Sequence, residues 1–148
     1  MIRHVLCGAA VAGILAAAPT FALEASGLLQ VQTATQATAA DAAPFVGDWT
    51  LAVEGPNGPA SFDLSVKVEK EKVVGEIASE AQAKQAISDV SLTGKDLMLR
   101  YTFDYQGTPV DTVVSLKPAA DGKTAAQIDF AGGAYVMTGT ASKKEPVK

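Results

Sequence analysis

The chain predicts an all-β fold: an eight-stranded antiparallel up-and-down meander barrel, preceded by a signal peptide and a flexible N-terminal linker. Three observations predict it. From Phe45 onward, short alternations of apolar and polar residues are broken by Gly, Pro, Asn and Asp about every dozen residues. The connections are short, so successive strands must be antiparallel neighbours, and Greek-key crossovers are hard to place. Gly75 and Gly139 fall inside strands, where glycine permits the bending that closure needs. A closed meander removes aggregation-prone edges. A two-sheet sandwich is the alternative, because strand spacing alone does not separate the two.

The N-terminus reads as an address. Arg3 forms a short basic n-region, Val5–Ala18 is apolar, and small residues stand at −3 and −1 of a cut after Ala22. The apolar run is shorter than the roughly 20 residues of a spanning helix. Residues 1–22 are therefore expected to be a secretory signal, with no membrane insertion after cleavage, and the protein to be exported, periplasmic or extracellular. Residues 23–43, rich in Ala, Thr and Gln, show no sustained period and read as a flexible linker or as an arm for a partner.

The barrel is expected over 44–142. Its first strand, Val46–Glu54, follows Phe45 and opens on Gly47-Asp48-Trp49; Gly55–Pro59 turns it. The second, Ser61–Glu69, alternates strictly, with Phe62, Leu64, Val66 and Val68 on one face. Val73–Ser79 and Ala86–Leu92 follow as third and fourth, with room for one helical turn in 80–86. In the fifth, Asp96–Tyr105, one face carries Leu97, Leu99, Tyr101, Phe103 and Tyr105. Val110–Lys117, Thr124–Phe130 and Ala134–Ser142 complete the count, and 143–148 reads as a polar tail. A closed barrel requires the first strand to pair with the last.

Composition excludes more than it names. The net charge is −4 and the lysines are scattered, which argues against nucleic acid and anionic membrane surfaces as partners. The single His4 and single Cys7 both lie in the expected signal. Without them a mature chain has no disulfide, no thiol nucleophile, no Ser-His or Cys-His pair and no thiolate or imidazole metal site. No Asp-rich loop of the EF-hand type appears. The expectation is a non-enzymatic protein with no cofactor and no metal. Asp63, Asp104 and Arg100 fall on outward parity and read as surface residues.

The Gly47-x-Trp49 step, the Pro56–Gly58 turn, Val73-Val74-Gly75-Glu76-Ile77 and Gly139 together resemble the calycin group, and in particular small lipocalin-like domains of bacterial exported proteins. The resemblance spans residues 45–142. It implies a β-barrel whose Gly-x-Trp strand is packed at one end, and a binding role. Lipocalins usually place an arginine on the last strand against the tryptophan; the candidates here are Lys143 and Lys144. The chain is also shorter than typical lipocalins and is expected to lack their C-terminal helix. Small bacterial metalloprotease inhibitors share the signal, arm and barrel, but typically hold a disulfide.

The candidate interior set is Trp49, Phe62, Leu64, Leu99, Tyr101, Phe103, Phe130, Tyr135 and Met137. These side chains line a pocket for a small apolar molecule, or they fill the barrel, whose eight strands enclose a space that side chains can just occupy. Trp49 lines the cavity or plugs one end. Two partners follow from the two readings: a small hydrophobic ligand inside, or an envelope protein met at the surface.

Overall fold

A computed structural model of the chain describes residues 35–80 and 82–145. The expected signal peptide, residues 23–34 of the expected linker and residues 146–148 lie outside the described residues. The described part is one antiparallel sheet of ten strands: β1 (Thr35–Gln36), β2 (Gly47–Gly55), β3 (Gly58–Glu69), β4 (Lys72–Ser79), β5 (Gln82–Ile87), β6 (Asp89–Thr93), β7 (Asp96–Tyr105), β8 (Thr108–Pro118), β9 (Thr124–Phe130) and β10 (Tyr135–Lys143). The spatial order is β1-β6-β7-β8-β9-β10-β2-β3-β4-β5. Apart from β1 and the wrap from β10 to β2, every ladder joins strands adjacent in sequence, as short turns dictate.

The first long strand does pair with the last. Trp49 stands opposite Lys143 and Val53 opposite Gly139. The expected eight-stranded closed barrel is nevertheless corrected: the sheet ends on β1 and β5 and is not closed by hydrogen bonds. The cause is local. The expected single strand Ala86–Leu92 is two strands that meet at Ser88. β5 pairs with β4 as far as Ile87 opposite Gly75. β6 then pairs with β7, Asp89 opposite Arg100. The backbone changes phase at this corner, so Ile87 and Val90, three apart, are both buried.

Changing partners half-way leaves β4 without β5 beside Lys72–Val74, and β7 without β6 beside Tyr101–Tyr105. A strap from the N-terminal side covers the first place. Thr35 and Gln36 pair with Leu92 and Ser91 of β6. The Ala37 N–H donates to the Val90 carbonyl at 3.0 Å, and Thr38 bridges to Lys72 of β4. The Asp41 backbone N–H then donates to the Thr38 hydroxyl at 3.2 Å, turning the chain into a short 3-10 helix, Ala43–Phe45. Residues 35–43, expected as linker, are thus part of the fold, with Ala37 and Ala42 buried. Their small apolar side chains fit a strap lying flat against strand edges.

One core lies inside the curled sheet. Period-two alternation feeds it from each long strand: Trp49, Leu51 and Val53 from β2, Phe62, Leu64 and Val66 from β3, Val73 and Ile77 from β4, Leu97, Leu99 and Tyr101 from β7, Val114 and Leu116 from β8. Gly75 and Gly139 both serve close approach. A Cβ on Gly75 would stand 2.7 Å from the Leu99 Cδ2, so the bare glycine gives that leucine its place in the core. A Cβ on Gly139 would stand 1.9 Å from the Ala52 carbonyl oxygen.

Candidate functional site

Strand direction sorts the molecule into two ends. The turns after β3, β6 and β8, the strap and Lys143 lie at one end; the turns after β2, β4, β7 and β9 lie at the other.

Trp49 belongs to the strap end. Its indole N–H donates to the Phe45 carbonyl at 2.7 Å, and the side chain is buried. An indole needs such a partner when it is removed from water. Lys143, opposite it in register, places its Nζ 5.6 Å from the ring centroid. Gly47 makes room: its φ is +133°, and a Cβ there would meet the Lys143 Cε at 2.7 Å. Gly47, Trp49, Phe45 and Lys143 therefore act together, the lysine stem lying where any other residue at 47 would intrude. Lys143 was expected in a tail but is the last residue of β10. Lys144 turns outward, its N–H on the Asp48 carbonyl and its Nζ 2.7 Å from Asp63.

The other expected site residues divide by depth. Phe62, Leu64, Leu99, Tyr101 and Met137 are buried in the core, and Phe103, Phe130 and Tyr135 are half-buried against it. The structure brings four of them together near the end opposite Trp49. Tyr101 and Phe103 have ring centroids 6.2 Å apart, Phe103 and Phe130 6.1 Å, and Phe130 and Tyr135 5.7 Å, the last two edge to face. Tyr105, 6.5 Å from Phe103, carries this chain of rings outward and is 59% exposed. It shares the strand face of Tyr101 and Phe103, and β7 outruns the core there. Trp49 stands apart from this group, with Leu64, its register partner, beside it on β3.

Two residues that sequence reasoning missed also face this group. Thr112, opposite Tyr101 in the ladder, is buried. It lies in phase with Val114 and Leu116, and that phase was the available signal. Gln82, at the head of β5, reaches Tyr101 from across the unpaired join, where alternation carries no signal. Burial pushes the Tyr101 hydroxyl up to about 12, and the facing Thr112 and Gln82 pull it partly back. None of the three nonetheless completes a hydrogen bond through its buried side-chain atom.

The clefts on the surface are open. One of about 330 Å³ runs over the outer face of β2–β5 between Asp48, Asp63, Glu76, Lys84 and Lys144. Four of its charges pair off, Lys84 with Glu76, which raises the lysine pKa, and Lys144 with Asp63. Another, of about 530 Å³, lies beside the strap between Pro44, Phe45, Leu92 and Pro118. Neither is lined by the four clustered rings. Asp63 and Asp104 are exposed as expected; Arg100 is half-buried on the outer face and donates to the Ser91 hydroxyl at 2.8 Å. Among the described residues, no three His, Cys, Asp or Glu side chains gather to hold a metal ion.

No protein-family model, curated protein or solved structure matches this chain.

Proposed function

We propose that this protein is a non-enzymatic, lipocalin-like β-barrel module of the cell envelope or the extracellular space, and that it works by contact with another protein. The carrying observation is the aromatic chain at the end opposite Trp49. It runs from buried Tyr101 through Phe103 to Tyr105, with Phe130 and Tyr135 beside it. Aromatic side chains supply large contact area with little conformational entropy to lose, and they are enriched at protein interfaces. Interior side chains from all the long strands meet in one core, which leaves the surface as the natural place for function. The signal-like N-terminus supports export. The Gly47–Trp49–Lys143 arrangement supports the lipocalin-like reading, a lysine taking the place of the usual arginine.

Full-length protein bearing Tyr105→Ser or Phe103→Ser is compared with the parent for capture of partners from the host's envelope fraction. The reading expects one protein to be held by the parent and lost from both variants, with Tyr105→Ser leaving thermal stability unchanged. Identical capture by all three refutes it.

A second reading is a holder of a small apolar molecule. It is favoured by the unpaired polar atoms at Tyr101, Thr112 and Gln82, which suit an oxygen-bearing head group below the aromatic rings. Native mass spectrometry of protein taken from its own host tests it: a bound small molecule supports this reading, and a bare chain refutes it.

A further inference from the structure

Four buried side-chain polar atoms lack a hydrogen-bond partner among the described residues: Ser65 Oγ, Gln82 Nε2, Tyr101 Oη and Thr112 Oγ1. The last three meet at one point. Tyr101 and Thr112 are register partners on β7 and β8, and Thr112 and Gln82 both come within weak hydrogen-bonding reach of the Tyr101 hydroxyl, too poorly aligned to complete a bond with it. Folded proteins pair nearly all buried polar groups, because an unpaired one forfeits its hydration without return. Three orphans gathered in one place therefore describe a site.

Its chemistry follows from the donors. A tyrosine hydroxyl, a threonine hydroxyl and a primary amide each donate, and the two hydroxyls also accept. They converge on something that accepts two hydrogen bonds and returns one to a hydroxyl. Among the described residues no charged side chain acts on the Tyr101 hydroxyl, so neither an anion nor a cation would find a counter-charge there. Position adds a structural reason. This is the stretch where β7 has lost β6, so β5 and β7 approach without a backbone ladder. At the opposite end the strap closes the equivalent place; here side chains must do so.

We propose that Tyr101, Thr112 and Gln82 form a binding site for one uncharged oxygen, supplied by a water molecule or by the hydroxyl group of a small neutral compound. The oxygen joins β5 to β7–β8 by side-chain hydrogen bonds where main-chain bonds are missing. Buried waters typically make about three such bonds to otherwise unpaired groups. The site stands without the contact-surface reading and does not depend on a protein partner.

The test uses the full chain with Tyr101→Phe and, separately, Thr112→Val, so that a folding failure of one leaves the other. A high-resolution crystal structure of the parent should show an oxygen about 2.6–3.2 Å from all three groups. Water magnetic relaxation dispersion should lose one long-lived internal water in each variant. If a compound supplies the oxygen, native mass spectrometry should instead show a neutral adduct on the parent that both variants lose. A direct bond between the Tyr101 hydroxyl and Gln82 with no oxygen between them overturns the proposal. So does an unchanged water count together with an unchanged mass in both variants.

Discussion

Gly139→Ala should cripple the fold through one methyl group. Gly139 lies in the β10–β2 ladder opposite Val53, between the Thr138–Glu54 and Thr140–Ala52 rungs. The added Cβ would sit 1.9 Å from the Ala52 carbonyl oxygen, 2.9 Å from its carbon and 2.7 Å from the Val53 Cα. Ordinary contact begins near 3.4 Å, so the strands must part by about 1.5 Å, against a normal spacing of about 4.8 Å. All three obstructing atoms are backbone, and no rotamer change relieves them. Overpacking a rigid site costs roughly 1–3 kcal/mol, and each ladder hydrogen bond stretched beyond range adds about 1 kcal/mol. A loss of about 3 kcal/mol or more follows. For a domain of this size that lowers Tm by roughly 12–24 °C. Thermal and urea unfolding followed by circular dichroism measure it, and hydrogen exchange should show β10 losing protection first. Gly58→Ala is the control: its φ is +105°, but nothing stands within 4 Å of the added Cβ, so it reports backbone strain alone. If Gly139→Ala falls by no more than the control, the close approach of β10 and β2 is not what requires glycine.

Three further outcomes are expected. Gly75→Ala alone should destabilise by roughly 1–3 kcal/mol through the Leu99 Cδ2. Leu99→Ala alone should cost roughly 2–5 kcal/mol, and the double variant clearly less than the sum; strict additivity in urea unfolding would refute the contact. Lys143→Ala should cost about 0.5–1 kcal/mol and change the Trp49 fluorescence, with Lys143→Arg retaining both; an unaltered spectrum in the alanine variant would refute the stacked geometry. Tyr101 titrates at about 12 in the fold against the ordinary 10.0. The folded state keeps this proton where the unfolded chain releases it, so the stability it contributes is whole below pH 10 and drains away between pH 10 and 12. Tyr101→Phe should flatten that decline, by on the order of 2 kcal/mol, in urea unfolding across this range; an unchanged slope would show that Tyr101 is not held from water.

The long strands were legible because a half-buried strand must alternate. β3 buries Phe62, Leu64 and Val66 as expected, while Val68 near its end is exposed, and the inner half of β7 buries Leu97, Leu99 and Tyr101. The β2–β10 pairing was legible too, since a meander that turns back on itself has to join its ends. The break at Ser88 was not read, although Ile87 and Val90 stand three apart, out of step with a strand's period of two. The strap was missed for a different reason. Residues 35–43 are held by backbone bonds and small alanines, which leave no hydrophobic pattern to read. Lys143 reads as tail in the sequence because its place over Trp49 depends on a register set from the other end of the domain. Thr112 was passed over because a polar residue in an inward phase looks like a fault in the pattern; here that fault marks the candidate site.

The strap and the β2–β10 ladder also determine when the domain can be finished. Synthesis proceeds from the N-terminus, so Thr35–Thr38 is made before both strands it joins, and β2 is made before β3 and long before β10. The Trp49–Lys143 rung closes nearly the entire domain, and such distant pairings carry the largest loop-closure entropy and form slowly. Until Lys143 is available, β2 has one edge unpaired and its tryptophan uncovered by the lysine. The rung that completes the fold is thus made by almost the last described residue of the chain.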